Sequence, residues 1–279
     1  MRKWRYLTAL ACLGAWWAAP WTSAGTPPAN PEDGKVADGA YTNEYFKMSF
    51  PLPPGWSKDV DGPPPSYSGY YVLTALSGGS RSGTMLIAAH DRFFAKASAN
   101  SSAEMVGQLR HRISEIDGMS IDLEPLETTI AGRRHARLDF SGVGLFRAML
   151  VTEIRCHLVS FNLTTGDPKD LARLVLSLND LSPGEAAGPA DAMPVCVKDY
   201  ATPEHLLSRV EPTPAGPKFT VVPVRIIIGT DGRVRYIHVI RGSAEQRVSV
   251  TAALTQWKFK PPAIDGRSTE VETGLTFPF

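Results

Sequence analysis

The chain is poor in the motifs by which most enzymes announce themselves. Its 279 residues hold three cysteines, too few for a disulfide-built scaffold. It has no Cys-x-x-Cys unit, His-Glu-x-x-His pair or Gly-x-Ser-x-Gly elbow, which removes the familiar zinc, redox and hydrolase signatures. The six histidines (His90, His111, His135, His157, His205 and His238) are scattered, and no close pair has the helical spacing of metal ligands. The Gly/Ser-rich run at 78–83 lacks the Gly-Lys-Ser/Thr ending of a phosphate loop. Asp139 with His135 or His157 would make an acid/base pair, but no nucleophile stands beside them. No catalytic residue, metal ligand or cofactor is therefore assigned, and the chain is read as a non-enzyme. Charge of one sign is also missing: 29 Lys+Arg face 28 Asp+Glu without a basic stripe, which excludes nucleic acid as a partner.

What is present begins at the N-terminus. Arg2, Lys3 and Arg5 precede a short apolar run at 7–19, followed by Pro20 and the small residues Thr22-Ser23-Ala24. The run is shorter than the ~20 residues that span a bilayer. Residues 1–24 are read as a signal peptide, leaving a periplasmic or secreted chain; the alternative is an uncleaved inner-membrane anchor facing the periplasm. Cys12, after Ala9-Leu10-Ala11 in mid-run, is a poor lipidation site. Removal of 1–24 takes three basic residues and no acidic one, so the remaining chain is slightly acidic. It keeps Cys156 and Cys196, which an oxidising compartment permits to pair, although they can equally stay as free thiols.

Two Pro/Gly-rich stretches divide the chain: a flexible lead-in at 25–40 and a linker at 182–200. Between them, 41–181 alternates short strand patterns with two helices. Phe46, Met48 and Phe50 alternate before Pro51, and apolar runs occupy 70–76 and 85–89. Ser101 and Glu104 have capping-box spacing, with Met105, Leu109, Ile113 and Ile116 on one helical face. Ala136, Leu138 and Phe140 alternate with polar residues, further strands follow at 145–154 and 158–163, and Asp167-Pro168 opens a second helix. The sum is an α+β domain, an antiparallel sheet with covering helices. Its opening Tyr-Thr-Asn-Glu-Tyr-Phe-Lys-Met-Ser-Phe with Pro-Pro-Gly-Trp56, and its closing order of strands and helix, resemble the PsbP-like superfamily. That resemblance implies a binding or assembly fold with no catalytic residues to carry over.

The last stretch, 201–279, reads as a small β-β-α-β domain. A β-branched run at 222–228 meets the hairpin signal Asp231-Gly232 and a second apolar strand at 234–240. A helix over 243–257 stacks Val250, Leu254 and Trp257; Pro261-Pro262 ends it, Asp265-Gly266 turns, and a strand runs over 268–279. The block Trp257-Lys-Phe259-Lys-Pro261 followed by Asp265-Gly266, together with Asp231-Gly232, resembles the TonB C-terminal domain family over 221–279. The family's Tyr-Pro-x-x-Ala lead element and long proline-rich spacer are missing here.

This resemblance implies an envelope protein-interaction domain linked to outer-membrane transport. The implied partner is an outer-membrane receptor or another extended peptide, with membrane contact only if 1–24 is retained. Such a partner would add a strand to a free sheet edge. The candidate edge is Glu270, Val271, Glu272, Thr273, Gly274 and Leu275. Its alternative is an ordinary sheet member blunted by Glu270 and Glu272, while Trp257 and Phe259 are read as core. A second functional reading is a periplasmic small-molecule or lipid-binding protein, whose first domain offers Phe46, Trp56, Tyr70 and Tyr71.

Overall fold

The computed structural model describes residues 29–60, 62–79, 83–94, 99–183 and 194–279. The predicted signal peptide at 1–24 lies outside the described residues, as does the middle of the predicted linker, 184–193. Among the described residues strands dominate and three α-helices accompany them, an α+β architecture.

Four short strands form a first antiparallel sheet: β1 (Lys35–Ala37), β2 (Ala40–Asn43), β3 (Met48–Pro51) and β11 (Ser182–Pro183). Seven longer ones form the central sheet. Their spatial order is β4 (Ser57–Val60), β5 (Tyr70–Ser77), β6 (Thr84–Asp91), β10 (His157–Thr165), β9 (Leu145–Ile154), β8 (Arg133–Gly142) and β7 (Met119–Ile130). All of these pairs are antiparallel, so short turns suffice to connect most of them. Arg155 and Cys156 form the two-residue turn between β9 and β10, both with positive φ (46° and 61°), the backbone that continues a hairpin's twist.

Helix α1 (Ser102–Ser114) begins where Ser101 Oγ accepts the Glu104 amide at 3.2 Å. It covers one face of the central sheet, packing Val106 onto Leu138, Val151 and Leu158. Helix α2 (Pro168–Ser177) is capped by Asp167, whose carboxylate accepts the Lys169 amide at 2.7 Å. It covers the other face, with Leu171, Leu174 and Val175 in the main core. The helix face predicted through Ile116 runs too far. The α1 helix stops at Ser114 ahead of Asp117-Gly118, Ile116 is exposed, and Val106 takes the buried position.

The C-terminal unit builds a third sheet in the order β12 (Val195–Cys196), β19 (Val271–Pro278), β14 (Val221–Ile228), β15 (Val234–Val239). The β12–β19 pair is parallel, and the others in this sheet are antiparallel. Helix α3 (Ala244–Leu254) starts in a reciprocal capping box. Ser243 Oγ accepts the Gln246 amide at 3.3 Å, and Gln246 Oε1 accepts the Ser243 amide at 3.0 Å. Val250 and Leu254 then bury against Val222, Val224, Ile226, Trp257 and Phe259. After α3 come β16 (Lys258–Phe259), which pairs with β13 (Leu206–Ser208), and the hairpin β17 (Ala263–Ile264) with β18 (Arg267–Ser268). The single strand read over 268–279 is thus divided at 269–270.

Both stretches read as unstructured connections take part in the sheets. The lead-in carries β1, and from it Glu32 bonds His238 at 3.0 Å while Asn30 accepts the Tyr236 hydroxyl at 3.0 Å. The linker's ends are β11 and β12. Short strands of this kind carry too few residues to leave a periodic signature, so composition alone hid them.

Candidate functional site

The third sheet uses its two faces differently, because side chains alternate along each strand. Val222, Val224, Ile226, Val271 and Phe277 face α3. Arg225, Ile227, Tyr236 and Ile240 face the N-terminal unit, where Ile227, Tyr236 and Ile240 enter the same apolar cluster as Tyr41, Phe50 and Leu150. Glu272 also turns to this side.

A buried charge cluster lies where that face meets β6 and the β9–β10 turn. Arg225 sends Nη1 to Asp91 Oδ2 at 2.5 Å and Nη2 to Glu272 Oε1 at 2.9 Å. Its Nη2 also donates to the Arg155 carbonyl at 3.3 Å, and the Phe93 ring sits 4.8 Å from its Cζ. Tyr45 donates its hydroxyl to Glu272 Oε1 at 2.9 Å, and Asp91 Oδ1 accepts the Phe93 amide at 2.8 Å. His157 completes the group. Its Nδ1 donates to the Arg155 carbonyl at 2.6 Å, while Nε2 lies 3.8 Å from Asp91 with no hydrogen-bond partner. Asp91, His157, Arg225 and Glu272 are all fully buried.

Titration follows from that burial. Loss of solvent pushes the His157 ring well below its ordinary value, and the Arg225 charge adds to the effect. Burial pulls the Arg225 pKa down; its neighbours, Asp91 foremost, override that and hold it well above the ordinary arginine range. The cluster therefore contains a fixed cation and a neutral imidazole. Sealed from substrate, it can hold two parts of the chain together but has no path to chemistry on an outside molecule.

The predicted edge has a different environment from a free one. Val195 pairs with Val271 and Cys196 with Glu272; the Val195 amide donates to the Glu270 carbonyl at 2.8 Å and the Val197 amide to the Glu272 carbonyl at 3.0 Å. Val271, Glu272 and Thr273 are buried, Glu270, Gly274 and Leu275 partly so. Gly274 lies against Phe93 and Phe94, so close that a Cβ there would sit 2.6 Å from Phe93 Cβ. Cys156 and Cys196 are joined in a disulfide, which ties β12 to the β9–β10 turn. Cys156 Sγ lies 3.5 Å from Glu272 Oε2.

The sequence-predicted structural residues come together within this unit. Gly232 (φ 76°) closes the β14–β15 turn beside Asp231, and its carbonyl accepts the Phe259 amide at 2.8 Å. A Cβ at 232 would meet the Phe259 carbonyl at 2.1 Å. Trp257 and Phe259 are buried at 3% and 1% exposure, and Trp257 Nε1 donates to the Val210 carbonyl at 2.8 Å. Pro261 is exposed, with Pro262 buried behind it, and Gly266 (φ 74°) sits in the β17–β18 turn. Sequence reasoning missed Arg225 and Asp91 and offered His157 only as a partner of Asp139, whereas it lies beside Asp91. The visible signal was an arginine inside a β-branched run, which requires a buried counter-charge.

Elsewhere, a cavity of about 380 Å³ opens at the start of α1, lined by Ser102, Glu127, Arg133, Arg134, Thr152 and Glu153. The aromatics suggested for a ligand entrance are not among its lining: Phe46 and Tyr71 are core residues, and Trp56 and Tyr70 are half-buried. Among the described residues no group of three or more His, Cys, Asp or Glu is placed to hold a metal ion. Among them, too, no helix is long and apolar enough to cross a membrane.

Strands β14, β15 and β19 and helix α3 all lie within residues 219–279. Residues 219–279 match the family of the Gram-negative bacterial TonB protein C-terminal domain. Among solved structures, cyanobacterial PsbP (CyanoP) from Synechocystis sp. PCC 6803 is similar over 53% of this chain and 95% of that one. The identity is 14% and the TM-score 0.37. No curated protein matches the chain.

Proposed function

We propose that this chain is an exported, non-enzymatic envelope protein whose C-terminal domain docks a protein partner, in a role connected with outer-membrane transport. The observation that carries this reading is the TonB-type match over 219–279, laid on a complete β14–β15–α3–β19 unit. Burial of the perturbed groups Arg225 and His157 supports binding over catalysis, since neither reaches solvent. The basic and apolar opening of the sequence supports export.

Photo-crosslinking in cells tests the docking. A photoreactive residue is placed at Thr276 or at Val248, both exposed on the C-terminal unit, and at exposed Leu176 on α2 as control. The same positions are used in the native chain and in a Cys156→Ser/Cys196→Ser variant. A discrete envelope-protein adduct from the C-terminal positions alone supports the reading; its lack in both backgrounds overturns it. Intact mass tests export: the chain recovered from cells should lack residues 1–24, and retention of Met1 would return the reading to a membrane-anchored protein.

A second reading rests on the cavity beside α1. Its two arginines and two carboxylates suit a small polar ligand better than a lipid tail. Native mass spectrometry of the full chain would reveal a retained small molecule, and repeated recovery of the bare mass would remove this reading.

A further inference from the structure

We infer that β12 is an internal plug on the docking edge of β19, held by the Cys156–Cys196 disulfide, and that thiol exchange uncovers this edge for an extended peptide running parallel to β19. The inference rests on the docking role proposed above and says how that role is switched.

Three observations carry it. First, β12 has only two residues, so the parallel ladder that attaches it to β19 is short, with the Val195 and Val197 amides on the Glu270 and Glu272 carbonyls. An isolated two-residue strand is too short to hold its place by pairing alone. The disulfide supplies what pairing does not, by keeping β12 at the edge at high effective concentration. Second, the two ends of that disulfide differ in access. Cys156 is 4% exposed, in the β9–β10 turn, whereas Cys196 is exposed on the outermost strand of its sheet. Third, the reduced state is provided for. A Cys156 thiol would find the Glu272 carboxylate 3.5 Å away as an acceptor, so opening the bridge orphans no buried donor.

The exchange balances as follows. One thiolate of a dithiol reductant, of the thiol–disulfide oxidoreductase class, attacks Cys196 Sγ. Cys156 leaves and takes up a proton. The second sulfur of the dithiol then displaces Cys196, which is protonated in turn. The protein gains two thiols and the dithiol becomes a disulfide. The uncovered edge presents the Glu270 and Glu272 carbonyls, with Val271 buried in the apolar core beneath. Since β12 itself sits there, it is the template for the partner. That partner is an extended, parallel segment with apolar residues at the positions of Val195 and Val197 and a small residue between them.

The experiment uses the full chain, dithiothreitol as the dithiol, and a fluorescent synthetic peptide copying residues 194–199 with serine at the Cys196 position. Amide exchange is followed at 195–197, on β14 and on α3. Reduction should speed exchange at 195–197 at least tenfold while β14 and α3 keep their protection. The peptide should bind the reduced chain at least tenfold more tightly than the oxidised one, and Cys196→Ser should behave as reduced without any reductant. Unchanged exchange at 195–197, equal peptide binding in both states, or loss of α3 protection on reduction would each overturn the inference. These readouts need no natural partner, so the docking reading can fail in the crosslinking test while the gate stands, and the reverse.

Discussion

Arg225 Nη1 and Asp91 Oδ2 lie 2.5 Å apart although 134 residues of chain separate them, and neither is exposed to solvent. With Glu272 on the guanidinium's other side, this contact turns one face of the third sheet into a charged latch inside an apolar seam. A buried pair of this kind adds little net stability when intact but costs heavily when one partner is lost.

Arg225→Met therefore should destabilise the chain by about 3–5 kcal/mol, because two carboxylates are left without their cation. Urea unfolding followed by tryptophan fluorescence would measure it. The triple variant Asp91→Asn, Arg225→Met, Glu272→Gln should recover most of that loss. If the triple variant is no more stable than Arg225→Met alone, the latch description fails.

Stability should fall on acidification from neutral pH. Burial lowers the pKa of His157, His90 and His135 below the ordinary value of 6.5, so the folded chain resists protons that the unfolded chain accepts. The unfolded state then binds more protons below pH 6.5, and stability is lost as pH drops through that value. The slope is at most about 1.4 kcal/mol per pH unit for each such ring. His157 is the most buried and dominates. Urea midpoints at pH 7 and pH 5 should differ clearly less in His157→Asn than in the native chain.

Gly232→Ala tests the contact between the turn and the Trp-Lys-Phe block. The added Cβ meets the Phe259 carbonyl at 2.1 Å, and alanine disfavours a φ of 76°. A loss of about 2 kcal/mol or more is expected from the strain and the overlap together. Thermal unfolding would read it, and Gly266→Ala serves as comparison: it shares a positive φ (74°) but has open space, so its cost should be about 1 kcal/mol.

Gly274→Val should separate the C-terminal sheet from the N-terminal unit locally. The nearest obstacles are Phe93 Cβ at 2.6 Å and Phe94 Cζ at 2.8 Å. Overpacking of this size costs about 1–3 kcal/mol. Faster amide exchange at 91–94, without change in α3, is the specific signature.

The C-terminal unit was readable because its signals are local. Asp231-Gly232 and the Trp257–Phe259 spacing each act within a few residues, although the helix read over 243–257 stops at Leu254 and leaves Trp257 in the stretch before β16. The long-range contacts were not readable in the same way. Glu272 looked like a charge blunting an exposed edge, yet it is buried because Arg225 stands beside it on β14. Val195-Cys196 looked like linker because two residues have no periodicity, and its place on β19 depends on a sulfur 40 residues earlier. Strand β14 is buried on both faces, so its β-branched run could not say which face met which neighbour.

The turn at Arg155–Cys156 sets an order of events during synthesis. Cys156 emerges from the ribosome 40 residues before Cys196, and β19, the strand neighbour of β12 among the described residues, follows both. A bridge made as soon as Cys196 arrives would precede the strand it is meant to cover. One made after β19 has folded would instead record that the edge to be covered is already there. Sulfur pairing would in that case follow strand pairing, and chains arrested before β19 should show which of the two comes first.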